Sequence, residues 1–271
     1  MESLNRAAHA VLGRTGLHGP VLRARDRRLA RRALRRDPQV AGPDGFALPP
    51  AELLVQVSGV ASAEHYLAGG ALGREVITAV LARNGVAVAE LGALLDFGVG
   101  CGRVARHWAD LEADVHGCDY NPVLVEWCRR NLPHVHTAVN RLQPPLPYDD
   151  ARFDLVYALS IFTHLSEPQQ RAWIAELHRV TRPGGHVLFT THGPTMRFTD
   201  PNWPPPDIQA GLAAGELVVI LPDHAGRNAC TALHPRAWVE RHMLGGFALC
   251  EYAAGGATMN GGQDLFLLRR L

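Results

Sequence analysis

Three glycines alternate with other residues in the stretch Leu94-Leu95-Asp96-Phe97-Gly98-Val99-Gly100-Cys101-Gly102-Arg103, directly after a short apolar run. Glycine tolerates positive φ and lets the backbone approach a ligand closely, and the first N–H groups of a following helix can bind polar ligand atoms. A turn without a ligand needs only one glycine, and further glycines destabilise it. The stretch therefore predicts a nucleoside-binding turn between a buried strand and a helix.

Two ligands fit this turn when it is considered alone. Residues 100–105 also match the dinucleotide pattern GxGxxG/A, and Asp119 lies at a plausible distance downstream. Asp96 argues against a dinucleotide and for S-adenosylmethionine, because a carboxylate so near a pyrophosphate would be repelled. The ammonium and sulfonium groups of S-adenosylmethionine would be attracted by it.

Asp119 ends the next apolar run and precedes Tyr120-Asn121-Pro122, where a helix should begin. Its two carboxylate oxygens can accept hydrogen bonds from both hydroxyls of a ribose. The alternative role for Asp119 is to cap the helix, but Asn121 is better placed for capping. Asp119 is therefore predicted to bind a ribose.

The elements that position these residues follow an alternating pattern. Short apolar runs separated by helical segments beyond Gly92 are typical of a parallel sheet, and two closely spaced later runs joined by a Gly-rich loop favour an antiparallel pair. The predicted parallel strands are Ala93–Phe97, Val115–Asp119, Val135–Val139, Leu155–Ser160 and Val187–Thr191, and the predicted antiparallel pair is Phe247–Tyr252 with Leu265–Leu268.

Helical spacing occurs before and within this series. Helices are predicted over 51–57, over 71–84 with Gly85 as a left-handed cap residue, and over 234–244. The clearest begins at Ser166, where Gln169 completes a capping-box spacing, and ends at Arg182 before Pro183.

Between residues 94 and 191 the chain resembles the class I S-adenosylmethionine-dependent methyltransferases, in the bacterial branch that modifies small molecules. The resemblance implies an α/β, Rossmann-like, seven-stranded and mostly parallel sheet, with an antiparallel C-terminal strand pair and helices on both faces. It rests on an ordered series of segments: Asp96 to Gly102, Asp119, Pro145-Leu146-Pro147-Tyr148, Phe153-Asp154-Leu155-Val156, Phe162-Thr163-His164-Leu165 and Arg179 to Gly185.

The resemblance also implies a site for S-adenosyl-L-methionine, which leaves as S-adenosyl-L-homocysteine. The acid and glycines of the turn would hold the methionine part, Asp119 the ribose, residues 140–142 the adenine edge, and the end of the fourth strand the reactive side. Many relatives have Asp where Asn140 stands, so the adenine contact can shift by a residue or two. The predicted cofactor residues are Asp96, Gly98, Gly100, Gly102, Asp119, Tyr120, Asn140, Arg141, Leu142, Ser160 and Phe162.

Two histidines are candidates for a general base, His164 and His192. Both follow predicted strand ends at the ligand-bearing edge, and imidazole titrates near neutral pH. For both residues a structural role remains an alternative: His164 could bond to backbone or line the cofactor pocket, and His192 could shape the following loop. Since the methyl group already sits on a good leaving group, alignment of the acceptor can supply most of the rate.

Length and composition indicate the solubility and location of the protein and whether it holds disulfides or a metal. At 271 residues the chain can bury a full core, and it has no apolar run long enough to span a membrane and no secretory signal, so a soluble, cytoplasmic protein is expected. Five scattered cysteines without a CxxC predict reduced thiols. Fourteen histidines include no HExxH, and His134 with His136 has no obvious third ligand, so no metal is expected.

Residues 1–37 hold ten Arg against Glu2, Asp26 and Asp37, a balance of 10 − 3 = +7. A solvated helix or arm explains this run, although it could recruit an anionic partner. A Pro- and Gly-rich linker follows, which predicts an Arg-rich arm and linker over 1–50 and a methyltransferase domain over 51–271. A Pro-rich cap insertion is predicted at about 193–233, a position suited to substrate contacts.

The function expected from these features is methyl transfer to oxygen, in preference to nitrogen, of a small molecule such as a sugar or secondary metabolite. Nucleic acid is not expected as the acceptor, because Ser160-Ile161-Phe162-Thr163 stands where an Asn/Asp-Pro-Pro-aromatic motif would hold a flipped base. A binding module without catalysis and an NAD-dependent oxidoreductase remain alternatives. The acceptor and the oligomeric state cannot be read from the sequence.

Overall fold

The computed structural model describes residues 40–193 and 205–271, apart from the side chain of Asp207. The Arg-rich stretch of residues 1–37 and residues 194–204 of the predicted insertion lie outside the described residues. Contacts divide the chain into two units, residues 1–63 and residues 64–271, and each is described by itself.

The described part of the first unit contains an isolated bridge between Ala41 and Ala47 and helix α1, Ala51–Ser58. The helix follows Pro50 and ends at Gly59, whose φ of 78° places it in the left-handed region. A glycine at this position closes a helix without a steric penalty. The predicted helix over 51–57 is confirmed.

The second unit is built on a seven-stranded sheet with the order β3-β2-β1-β4-β5-β9-β8. Strands β1 to β5 pair in parallel, while β9 is antiparallel to both β5 and β8. The predicted mostly parallel sheet with an antiparallel C-terminal pair is confirmed. The strands are β1 Ala93–Phe97, β2 Asp114–Asp119, β3 Val135–Val139, β4 Phe153–Ala158, β5 Thr181–Thr191, β8 Phe247–Ala257 and β9 Gln263–Arg270.

Helices connect and flank these strands. Helix α2 begins eight residues before the predicted start at 71 but ends where expected, with Gly85 at φ 76° just beyond it. In helix α4 the backbone N–H of Ser166 donates to Oε1 of Gln169 at 3.1 Å, as expected for the predicted capping box. The helices are α2 Ala63–Arg83, α3 Pro122–Asn131, α4 Glu167–Val180, α5 Pro206–Ala213 and α6 Arg236–Met243.

One face of the sheet packs against α4 and α6. The ring of Phe97 in β1 lies 4.7 Å from that of Trp173 in α4, and Trp238 in α6 is buried in the same cluster. Phe189 of β5 and Phe266 of β9 stack in parallel with centroids 5.1 Å apart. These contacts fix β9 beside β5 and hold the parallel and antiparallel parts of the sheet together.

Several elements differ from the sequence prediction; strand β4, for example, ends at Ala158 and not at Ser160. The glycine turn leads into a short 3₁₀ helix, Ala105–Trp108, where an α-helix is predicted, and Trp108 at its end is fully buried. Helix α4 ends at Val180, and Thr181 already pairs with Phe153 in the sheet. The later part of the predicted insertion contains a small antiparallel sheet of β6, Val218–Ile220, and β7, Thr231–Leu233.

Within the described part of the chain, every helix is too short or too polar to cross a membrane.

Candidate functional site

The loops after β1, β2, β3 and β4 meet at one edge of the sheet, because the carboxyl ends of parallel strands lie together. The glycine turn follows β1, Asp119 is the last residue of β2, and Asn140 and Ser160 lie in the loops after β3 and β4. In open α/β sheets, ligands bind in the crevice outside these strand ends. The predicted cofactor residues are thus brought to one region by the topology.

The glycine turn has the backbone that its sequence predicts. Gly98, Gly100 and Gly102 have φ values of 89°, 54° and 70°. A Cβ added at Gly98 would lie 2.1 Å from Cδ1 of Ile161, in the loop after β4. Glycine at position 98 thus suits the positive φ, and a Cβ there would also force the Ile161 side chain to move.

Asp119 connects the end of β2 to the glycine turn. Its Oδ2 accepts a hydrogen bond from the backbone N–H of Gly100 at 3.1 Å, and its Oδ1 accepts one from Asn121 at 2.8 Å. Asn121 itself caps helix α3, since its Oδ1 accepts from the N–H of Val123. A carboxylate has about four lone-pair sites, so Asp119 retains capacity for ribose hydroxyls.

Burial raises the pKa of Asp119 to about 6, although the backbone N–H groups of Asn121, Gly100 and Tyr120 act in the opposite direction. Each of these donors favours the ionised carboxylate, whereas removal from water favours the protonated one. A ligand that adds hydroxyl donors here would further favour ionisation.

Asp96 is buried at the end of β1, and burial raises its pKa to about 7. A hydrogen bond from the hydroxyl of Tyr157 and the positive charge of Arg103 lower that pKa, while the charge of Asp119 raises it. Arg103 in turn donates to Oδ1 of Asn260 at 3.0 Å, in the turn between β8 and β9. A cationic ligand group beside Asp96 would stabilise its charged form.

Asn140 supplies a direct test of whether these residues fit a nucleoside. Its Nδ2 donates to the backbone oxygen of Arg141 at 2.7 Å, and this bond does not use the side-chain oxygen Oδ1. That oxygen is buried and, within the described residues, has no hydrogen-bond partner. A buried acceptor without a donor is costly, and the amino group of an adenine would satisfy it. The chemistry of this edge fits S-adenosylmethionine.

The remaining predicted cofactor residues differ in exposure. Tyr120 is 44% exposed beside Asp119, and Arg141 is also exposed. Leu142 packs close to Gly226, where an added Cβ would lie 2.8 Å from Cδ2 of the leucine. Phe162 has no exposed surface, and its ring lies 5.1 Å from that of Phe189 in the core. The phenyl group of Phe162 thus serves the hydrophobic core, whereas the other three remain near the surface of the edge.

Ser160 follows β4 with a φ of 61°, which is unusual for a residue other than glycine. Its N–H donates to Oγ1 of Thr190 at 2.8 Å, and its Oγ accepts from Nε2 of Gln263 at 2.8 Å. Gln263 also accepts a hydrogen bond from Thr190 at 2.6 Å. This network joins β4, β5 and β9 and holds Ser160 in a strained conformation at the candidate site.

Both predicted base candidates lie at this edge, with a third histidine beside them. The ring centroids of His164 and His192 are 6.4 Å apart, and His234, after β7, donates its backbone N–H to the oxygen of His192 at 2.8 Å. Burial lowers the pKa of all three, to about 4 for His192 and about 3 for His234. The cluster is therefore uncharged at neutral pH.

No motif in the sequence marks His234, Gln170 or Gln263 as site residues. His234 precedes Pro235 at the start of a helix, and no local spacing links it to His192. Their proximity arises from the parallel bridge between His192 and Leu233, which depends on the folded insertion. No group of three His, Cys, Asp or Glu side chains suited to a metal ion occurs among the residues that the structure describes.

Comparisons with known proteins agree with this geometry. The family described as "Methyltransferase domain" matches residues 94–185. A malonyl-[acyl-carrier protein] O-methyltransferase of Halorhodospira halophila is 34% identical over 138 residues, which cover 49% of this chain and 46% of that protein. The corresponding protein of Pseudescherichia vulneris is 31% identical over 130 residues, 48% of this chain and 50% of its own. The chain thus spans about half the length of these curated relatives.

Solved structures share the fold. The glycopeptide N-methyltransferase MtfA complexed with S-adenosyl-L-homocysteine has a TM-score of 0.52 at 15% identity, covering 73% of this chain and 90% of that one. An S-adenosylmethionine-dependent methyltransferase of Mesorhizobium loti has a TM-score of 0.50 at 16% identity, covering 66% of this chain and 91% of that one.

The strand order, the positive-φ glycine turn and the acid that ends β2 together have the arrangement of an α/β domain of the methyltransferase type. Residues 94–185 match the methyltransferase-domain family, the curated relatives are named as methyltransferases, and the fold is shared with S-adenosylmethionine-dependent methyltransferases.

Proposed function

We propose that this chain is an enzyme that transfers a methyl group from S-adenosylmethionine to oxygen, in preference to nitrogen, of a small molecule such as a sugar or secondary metabolite. The observation that carries the proposal is the hydrogen bond from Gly100 to Asp119, because it joins the glycine turn to a buried carboxylate at the strand edge. The relatives named as O-methyltransferases support oxygen as the acceptor atom.

The proposed binding roles follow from the chemistry of each side chain. Asp119, next to Tyr120, accepts the ribose hydroxyls, and Asn140 with Arg141 and Leu142 meets the adenine edge. Asp96 and the backbone of Gly98, Gly100 and Gly102 surround the methionine part. Ser160 borders the cofactor's reactive methyl group, and Phe162 packs in the core behind the loop that carries Ser160.

Bound S-adenosylmethionine supplies a methyl group that is already attached to a good leaving group. This chain then has to orient the acceptor, exclude water and, for a protonated acceptor, take up a proton. His164 and His192 remain the candidates for that proton, and both are uncharged because burial lowers their pKa values. The segment that contains β6 and β7 contacts both histidines and is suited to cover an acceptor.

Calorimetry with S-adenosylhomocysteine tests the cofactor site. We expect binding by the wild-type chain and a loss of about 2 kcal/mol or more in Asp119→Ala, the cost of a lost pair of charge-assisted hydrogen bonds. Asp114→Ala is a matched control, since Asp114 lies at the opposite end of β2 and pairs with the surface Arg152. Unchanged affinity in Asp119→Ala would remove this residue from the site, and tight NAD binding would favour an oxidoreductase.

Turnover separates an enzyme from a binding module. Formation of S-adenosylhomocysteine in equal amount with a methylated acceptor is expected. A chain that binds the cofactor but yields no methylated product from any acceptor would instead be a non-catalytic module.

A further inference from the structure

The tautomer of His164 is set by its contact with the segment before β7. Its Nδ1 lies 2.7 Å from the backbone oxygen of Cys230. A carbonyl oxygen only accepts hydrogen bonds, so Nδ1 must carry the proton that it donates. In the neutral imidazole, the lone pair therefore resides on Nε2.

Nε2 of His164 is also accessible. Among the described residues, no hydrogen bond reaches this atom, and it is not one of the buried polar atoms that lack a partner. The residue lies in the 3₁₀ helix Phe162–His164, which follows Ser160 at the carboxyl end of β4. A basic nitrogen is thus presented near the edge where the cofactor residues meet.

His234 has the opposite tautomer. Nε2 of Gln170 donates to the oxygen of Leu165 at 3.0 Å, so Oε1 of Gln170 is the atom that faces His234. This Oε1 lies 2.9 Å from Nε2 of His234, which must therefore donate. His234 is almost fully buried and has no open Nε2 lone pair, and the buried ring of His192 is hydrogen-bonded to the backbone of Ala232. Of these three histidines, His164 alone presents an unprotonated Nε2 outward.

We infer that Nε2 of His164 accepts the proton of a hydroxyl group on the methyl acceptor, and that the Cys230 carbonyl holds the ring in the required tautomer. This inference rests on the proposed function. In the transfer, the acceptor oxygen bonds to the methyl carbon, the electron pair of the broken carbon–sulfur bond stays on sulfur, and the hydroxyl proton passes to Nε2. The imidazolium then releases its proton to solvent.

A hydroxyl is an acceptor that this arrangement serves, because its oxygen has to lose a proton when it is methylated. A carboxylate is already ionised at neutral pH and needs no base, whereas a phenolic hydroxyl has an ordinary pKa near about 10. The neighbouring His192 and His234 are uncharged, so they add no cation that would attract a carboxylate. The cluster therefore suits a neutral alcohol or phenol.

Nuclear magnetic resonance of the full chain labelled with ¹⁵N-histidine tests the tautomer without cofactor or acceptor. Long-range ¹H–¹⁵N correlation at about pH 7.5 should show a protonated Nδ1 and an unprotonated Nε2 for the ring whose signals vanish in His164→Gln. His178→Gln, in helix α4, is the matched control and should leave those signals unchanged. A protonated Nε2 on His164 would overturn the inference.

Diethyl pyrocarbonate treatment of the wild-type chain gives a second measurement that needs no variant. Peptide mass spectrometry should find His164 modified and the almost fully buried His234 protected. An unmodified His164 would show that its nitrogen is not open and would overturn the inference.

The acceptor class is tested with methyl-labelled S-adenosylmethionine and a deproteinised bacterial metabolite extract. We expect labelled products that resist alkali, as methyl ethers do, and a loss of about a hundredfold in their rate of formation in His164→Gln with unchanged S-adenosylhomocysteine affinity. Alkali-labile methyl esters as the only products would overturn the inference. No labelled product would instead count against the proposed activity, and the tautomer measurement would still decide the state of His164.

Discussion

The indole Nε1 of Trp108 donates a hydrogen bond to the hydroxyl of Tyr157 at 3.0 Å in the interior of the domain. An indole N–H can only donate, so the tyrosine hydroxyl accepts from it and directs its own hydrogen to another acceptor. That acceptor is Asp96. The Asp96 carboxylate at the end of β1 is thus held by Tyr157, and Trp108 in turn orients the hydroxyl of Tyr157.

Tyr157→Phe removes this support. We expect a loss of about 1–3 kcal/mol in the free energy of unfolding, because the buried N–H of Trp108 loses its partner. S-adenosylhomocysteine affinity should also fall, since Asp96 loses a donor that orients it. Urea unfolding and calorimetry measure the two effects.

Tyr148→Phe is the control for that variant. The hydroxyl of Tyr148 is buried and has no hydrogen-bond partner within the described residues, so its removal should be neutral or slightly stabilising. Equal destabilisation of the two variants would contradict the role assigned to the Trp108–Tyr157 pair.

Cofactor affinity should depend on pH through Asp96. Burial raises the pKa of this carboxyl to about 7, so the unliganded site is partly protonated at neutral pH. A ligand ammonium favours the ionised form, and affinity for S-adenosylhomocysteine should therefore increase from about pH 6 to about pH 8 with release of a proton. Calorimetry in buffers of different ionisation enthalpy measures that release.

Two comparisons isolate Asp96 in this pH dependence. Asp96→Asn should remove most of the increase in S-adenosylhomocysteine affinity above about pH 7. Asp119 contributes little to the increase in that range, because its pKa is about 6. Methylthioadenosine, which lacks the ammonium group, should show a weaker rise with the wild-type chain. An equally steep rise for both ligands would assign the dependence to another group.

Gly98→Ala should be far more damaging than Gly85→Ala. Both glycines have positive φ, 89° and 76°, so both variants incur the backbone strain of about 1–2 kcal/mol. A Cβ at position 85 meets open space, whereas at position 98 it lies 2.1 Å from Ile161. In thermal unfolding, the melting temperature of Gly85→Ala should be well above that of Gly98→Ala. Similar melting temperatures would refute the close approach of Ile161 to Gly98.

Ser160 offers a paired test of backbone strain. Ser160→Gly and Ser160→Ala both lose the hydrogen bond from Gln263, but only the alanine keeps a Cβ at a φ of 61°. The glycine variant should be more stable by about 1 kcal/mol. Chemical denaturation of the two variants side by side measures the difference, and a more stable alanine variant would argue against the positive φ.

Much of the fold could be predicted because its signals are local. The strand over 135–139 was predicted with its exact bounds, and the start of helix α4 follows from the capping spacing of Ser166 and Gln169. The absence of an α-helix after Gly102 could not be predicted, since it depends on how Trp108 is buried under Tyr157. Helix patterns describe one segment, whereas this burial joins the 3₁₀ helix to strand β4.

The candidate site also contains residues that the sequence predicts and residues that only the folded structure brings together. Asp119 and the three glycines stand at fixed offsets from apolar runs, so their neighbourhood follows from the parallel topology. His234 and Gln263 reach the edge only through tertiary pairing with β5 and β4, more than a hundred residues away for Gln263 and Ser160. The burial of Phe162 in the core likewise depends on Phe189 of another strand.

The bridge from Gln263 to Ser160 has a consequence for the order of folding. The loop after β4 cannot reach its final form until residue 263 has been synthesised and β9 has inserted between β5 and β8. A nascent chain that ends before β9 could already assemble the strands that carry Asp96, Asp119 and Asn140. Nucleoside recognition would then mature earlier during translation than the wall that borders the reacting methyl group.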